Sequence, residues 1–75
     1  MNVKIEDIVK LISLQLGIKK VKPENQLRED LGAESLDMQN IIMALEDKYR
    51  ITIADEDATS VHTVSDFFNL VQARV

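Results

Sequence analysis

Apolar residues recur along this chain at helical spacing in three separate stretches. Ile5, Ile8, Val9, Ile12 and Leu16 are separated by three, one, three and four positions, which places them on one face of a helix. Val3, Leu11 and Leu14 widen that face, so the pattern predicts a helix over residues 3–16 covered on more than one side. Gly17 stands where a left-handed residue commonly ends a helix. Met38, Ile41, Ile42, Leu45 and Tyr49 repeat the spacing and predict a second helix over residues 35–50, with Leu36 and Met43 falling partly off the stripe. Asp37 in its first turn and Lys48 and Arg50 in its last have the polarity the helix dipole favours. Val64, Phe67, Phe68, Val71 and Val75 give the last stripe. It is opened by Thr63-Val64-Ser65-Asp66, a capping box with Asp in place of Glu or Gln.

The connections read differently. The stretch IKKVKPENQLREDLGA has no sustained period and contains Pro23, Asn25 and Gly32. It predicts a long loop, held in place by Ile18, Val21, Leu27 and Leu31 against the bundle. Ile51 and Ile53 alternate too briefly to build a sheet. An apolar anchor followed by a short helix near 55–60, capped by Asp55, is the expected alternative. The expected fold is therefore all-α: a small four-helix bundle of three longer helices and one short one, with a long loop between first and second.

Composition narrows the function. Residues 1–75 leave room for a single domain, and 45% hydrophobic content places it outside the disordered class. There is no cysteine, hence no disulfide framework, thiolate nucleophile or cysteine-based zinc site, and a reducing cytoplasm is favoured. Glu6, Asp7 and Lys10 interrupt the N-terminal stretch, which excludes a signal peptide or membrane span there. The net charge of −4 conceals an asymmetry: residues 29–57 hold nine Asp/Glu against two Lys/Arg, whereas residues 1–28 hold six Lys/Arg against three Asp/Glu. Such an acidic middle is unsuited to nucleic-acid phosphates. It suits basic patches on protein partners, or serves solubility alone.

Little supports catalysis. The one histidine, His62, lies at a loop-to-helix junction and reads as a surface or capping residue. A triad of Ser35, His62 and an acid would require the fold to assemble it. Asp55-Glu56-Asp57 lacks the spaced ligands and glycine of an EF-hand loop, so no dedicated metal site is expected, although the acids suit loose divalent binding. The two glycines form neither a P-loop nor a dinucleotide fingerprint. The chain is not expected to be an enzyme. Ser35, between Glu34 and Asp37 in LGAESLDMQN, has two readings. Its hydroxyl caps the second helix, or it is an exposed attachment point at a helix N-terminus, where a phosphodiester is well tolerated.

The run from Glu29 to Ala58 closely resembles the acyl carrier protein family. Asp30-Leu31-Gly32-Ala33-Glu34-Ser35-Leu36-Asp37 matches the family hallmark, followed by Met43-Ala44-Leu45-Glu46, Ile53-Ala54-Asp55-Glu56 and Thr63-Val64. Gln15-Leu16-Gly17 and Pro23 before Leu27 extend the likeness over essentially the whole chain. The resemblance implies that Ser35 carries 4′-phosphopantetheine, transferred from coenzyme A by a phosphopantetheinyl transferase, and that the terminal thiol of this arm holds an acyl group as a thioester. It implies exposed apolar contacts at Leu36, Met43 and Ile53. Acidic contacts at Glu34, Asp37, Glu46, Asp47, Asp55 and Glu56 would meet basic patches on acyl-processing enzymes. The core around Ile42, Leu45, Ile53 and Phe68 would shelter the chain, and the carrier would act as a free-standing cytoplasmic monomer.

Departures from the family pattern suggest a specialised member. Glu34 replaces the usual Asp, Ala54 the usual Pro, and Asn40, Lys48 and Arg50 stand where general carriers are commonly acidic or neutral. Two alternatives remain at this point: a peptidyl or amino-acyl carrier, and an unmodified interaction module in which Ser35 only caps a helix.

Overall fold

The computed structural model describes residues 2–75. Four helices follow in order: α1 (Ile5–Leu16), α2 (Ser35–Tyr49), α3 (Asp55–Thr59) and α4 (Val64–Arg74). This is the expected all-α bundle with one short helix and a long first loop, and α1 packs against both α2 and α4.

Each apolar stripe delivers its residues to one core. Ile8 and Ile12 enter from α1; Met38, Ile41, Leu45 and Tyr49 from α2; Val64, Phe67 and Val71 from α4. Ile42 and Phe68 are half-buried at its edge. Three boundary details differ from the pattern. Val3 precedes α1, because Lys4 is extended and the helix begins at Ile5. Leu14 is 72% exposed, since it lies two positions, about 200° around the axis, from Ile12. Val75 follows the last helical residue and is exposed as well.

The helix ends obey backbone sterics. Gly17 adopts the left-handed conformation (φ 68°), and its N–H donates to the Ser13 carbonyl. Arg50 does the same job after α2 at φ 56°, outside the last turn in which its charge was expected. A side chain there is strained by roughly 1–2 kcal/mol relative to glycine. Thr63 closes α4: its Oγ1 accepts from the Asp66 N–H at 3.1 Å, and the Asp66 carboxylate accepts the Thr63 N–H at 2.9 Å.

The first loop is ordered by long-range backbone bonds. The Leu27 N–H donates to the His62 carbonyl at 2.8 Å, and Val64 and Ser65 N–H donate to the carbonyls of Asn25 and Pro23. Gln26 and Thr63 form an isolated antiparallel bridge. Leu27 is fully buried and Val21 nearly so, as pinning residues should be; Ile18 and Leu31 pack more loosely against the same core.

Candidate functional site

Ser35 is the first residue of α2, so its hydroxyl does not occupy the capping position. Glu34 is there instead, with extended backbone, and its N–H donates to the Asp37 carboxylate at 2.9 Å. The acid three residues on closes this end, in the manner of a capping box. The Ser35 hydroxyl is left exposed and without a hydrogen bond among the described residues. Gly32, at φ 68°, turns the chain into this segment, and the Ala33 N–H donates to the Leu27 carbonyl at 2.8 Å. The approach to Ser35 is thereby tied to the ordered loop.

An open groove of about 310 Å³ has Ser35 in its lining. Met38 and Ile42 of α2 and Ala58 and Val61 at α3 give it apolar lining, while Arg28, Gln39, Asp55, Thr59 and His62 supply polar groups. Of these, Arg28, Gln39 and Thr59 carry no signal in the sequence pattern. Gln39 comes from α2 itself, while Arg28 and Thr59 are recruited by tertiary closure of the loop and α3 onto α2.

The residues expected at a docking surface separate into two groups. Leu36 and Met43 are 73% and 62% exposed, and seven residues apart they share one face of α2. Glu34, Asp47, Asp55 and Glu56 are exposed, with Asp37 and Glu46 half-buried. Ile53 corrects the expectation of an exposed contact. It is 6% exposed and belongs to the core, in agreement with its other expected role. Its N–H donates to the Glu46 carboxylate at 2.8 Å, so Glu46 also fastens the segment between α2 and α3.

Asp55 does not cap α3. Ala54 holds that position, and the Asp57 carboxylate accepts the Ala54 N–H at 3.3 Å. A proline at 54 could not make this bond. Asp57 also pairs with Arg74 at 2.5 Å, and that guanidinium hydrogen bond, with the Ala54 N–H assisting, holds its carboxyl below the ordinary range.

His62 is exposed and shares the groove with Ser35, but a triad is not assembled. The neighbouring carboxylate, Asp66, accepts the backbone N–H groups of His62 and Thr63, each at 2.9 Å, and these bonds lower its pKa. Its Oδ2 orients backbone, and among the described residues no hydrogen bond joins the carboxylate to the imidazole as in a triad. Among the described residues no three His, Cys, Asp or Glu side chains group to hold a metal ion, and no helix is long and apolar enough to cross a membrane.

The arrangement fits a prosthetic group esterified at a serine. The hydroxyl is accessible, the Ser35 and Leu36 N–H groups have no acceptor within the described chain, and the same residue lines a groove with an apolar side. A family model described as the phosphopantetheine attachment site matches residues 6–71. An acyl carrier protein of Syntrophobacter fumaroxidans is 48% identical over 71 residues, covering 92% of this chain and 84% of that protein. A structure from Mycobacterium tuberculosis, provisionally assigned as an acyl carrier protein, superimposes with a TM-score of 0.87 at 31% identity, covering 92% of this chain and 95% of that one. The acyl carrier protein of Thermotoga maritima gives 0.78 at 29% identity, covering 93% and 84%. Similar in sequence across nearly its whole length and built on the same helices, the chain belongs to the acyl carrier protein family, non-catalytic carriers of acyl chains in biosynthesis.

Proposed function

We propose that Ser35 is the attachment point for 4′-phosphopantetheine and that the groove it lines receives the arm and its cargo. One observation supports this reading most: the Ser35 hydroxyl is exposed and free at the first turn of α2, because Glu34 holds the capping position and the Asp37 carboxylate binds the Glu34 N–H. When attached, the group supplies a terminal thiol that holds an acyl chain as a thioester, in a protein with no cysteine of its own. The unaccepted N–H groups of Ser35 and Leu36, at the positive end of the α2 dipole, favour a phosphodiester at this residue. Met38, Ile42, Ala58 and Val61 offer apolar surface to the cargo.

Docking falls to the α2–α3 face. Leu36 and Met43 present isolated apolar contacts beside Glu34, Asp37, Asp47, Asp55 and Glu56. Basic patches on a phosphopantetheinyl transferase and on acyl-processing enzymes complement these charges, steering encounter and allowing rapid exchange. Lys48 and Arg50 offset the charges of Glu46 and Asp47 at the far end of α2, which suits a narrower partner set than a general carrier has. The whole of residues 1–75 acts as one domain, a monomer in a cytoplasmic setting.

The test is direct. The purified protein is incubated with coenzyme A and a broad-specificity phosphopantetheinyl transferase, and its intact mass is measured. A gain of one phosphopantetheine unit, abolished in Ser35→Ala, is the expected result. No gain by a folded protein, in a reaction that modifies a control carrier, would count against the assignment.

A further inference from the structure

Two side chains with N–H donors, one of them a guanidinium, share the groove with Ser35 at the border of the acidic part of the chain. Arg28 comes from the first loop and His62 from the segment before α4. Their positions are fixed together by backbone. The Leu27 N–H donates to the His62 carbonyl at 2.8 Å, the Leu27 carbonyl accepts from Ala33 at 2.8 Å, and the Arg28 carbonyl accepts from Gly32 at 3.1 Å. The loop, the approach to Ser35 and the start of α4 thus meet at one fully buried residue, Leu27.

Neither side chain is committed elsewhere. Among the described residues the ion pair formed is Arg74–Asp57, which leaves the Arg28 guanidinium without a carboxylate partner. Asp55 of α3 also lines the groove, and Asp66 of α4 lies near His62, but its carboxylate accepts the His62 and Thr63 N–H groups. A guanidinium offers parallel N–H donors to an oxyanion, and an imidazole adds an N–H donor in either protonation state.

We propose that Arg28 and His62 form an oxyanion cradle beside Ser35, holding the phosphodiester of the arm or a carboxylate on its cargo. The inference rests on the assignment of Ser35 as the attachment point. It gives these two residues a positioning role: they hold the arm against the groove instead of leaving it free in solvent.

Isotope-labelled protein loaded from coenzyme A, butyryl-coenzyme A or succinyl-coenzyme A tests this, with intact mass verifying each load. The Arg28 Nε–H signal and the His62 ring nitrogen signals are compared with the unloaded protein by NMR. Both signals move on loading if the cradle forms, and the Arg28 Nε–H exchanges more slowly with water. Equal movement in all three loads assigns the phosphodiester; movement confined to the succinyl load assigns a cargo carboxylate. Arg28 is exposed, so Arg28→Gln keeps the fold and should roughly halve the His62 displacement, with Arg28→Lys restoring part of it. Loaded protein in which neither signal moves overturns the cradle and leaves Ser35 standing as the attachment point. Failure to gain mass overturns both.

Discussion

Replacing Tyr49 with phenylalanine should make this protein more stable, by an amount set by the core itself. The ring is 6% exposed at the end of α2, and its hydroxyl oxygen is buried without a hydrogen-bond partner among the described residues. Such a group has lost its water hydrogen bonds and gained none, a cost of about 1–3 kcal/mol. Tyr49→Phe removes the oxygen and keeps the ring, including its position beneath the Lys48 ammonium, 5.7 Å from the centroid. A small void replaces the oxygen and forfeits some contacts, so the lower end applies: a gain of about 1 kcal/mol. In a domain of this size that corresponds to roughly 4–8 °C in Tm. Urea denaturation should show a higher midpoint with an unchanged slope.

The alkaline limb supplies a second reading of the same substitution. Burial, with the Asp7 carboxylate adding to it, raises the Tyr49 pKa above its ordinary 10.0. Folded Tyr49 therefore binds its proton more tightly than the unfolded chain does. Its contribution is full below pH 10.0 and lost as pH rises through the folded pKa. The parent protein should lose stability more steeply above that value than Tyr49→Phe. A variant less stable than its parent at pH 7 would refute the reasoning, since the oxygen would then have a partner.

Arg50→Gly should stabilise by about 0.5–1 kcal/mol, because the left-handed strain at φ 56° is relieved while glycine's extra unfolded-state entropy offsets part of it; a loss in urea denaturation would mean that the Arg50 side chain has an unrecognised contact. Asp66→Asn should cost about 1 kcal/mol at neutral pH. The folded Asp66 pKa lies below 3.8, so its stabilisation is present above that value and disappears as pH falls through and below it, and the variant should show a flatter acid limb in a pH series of melts. Moderate salt and millimolar magnesium should each raise Tm by a few degrees, since the acids of residues 29–57 are largely without cationic partners. No rise with either would indicate that these charges are already compensated.

The helices were legible because their stripes are regular and their partners lie within one or two turns. Ile8, Ile12, Ile41, Leu45, Phe67 and Val71 are where the spacing places them. End chemistry was less legible, since serine and aspartate serve equally well one position to either side of a cap. The bond from Glu34 N–H to Asp37 decided for one register at α2, and that from Ala54 N–H to Asp57 at α3. The motif around Ser35 located the candidate site, but part of the groove did not register. Arg28 and Thr59 reach it through closure between Gln26 and Thr63, a contact 37 positions apart that no local period encodes. Ile53 shows the converse: a short alternation cannot say which of two faces is buried until Glu46 fastens its N–H.

The groove at Ser35 has walls of unequal firmness. On one side stands α2, anchored by four buried residues. On the other, α3 is five residues long and buries none, and the Asp57–Arg74 pair is its side-chain tie to α4. Opening free energies follow such differences, so α3 amides should exchange by local fluctuation while those of α2 await global unfolding. The width of the groove is therefore not a fixed dimension. If Ser35 carries the arm, the fixed side would set where its cargo starts, and the loosely tied side would yield to the cargo's girth at little thermodynamic expense to the rest of the bundle.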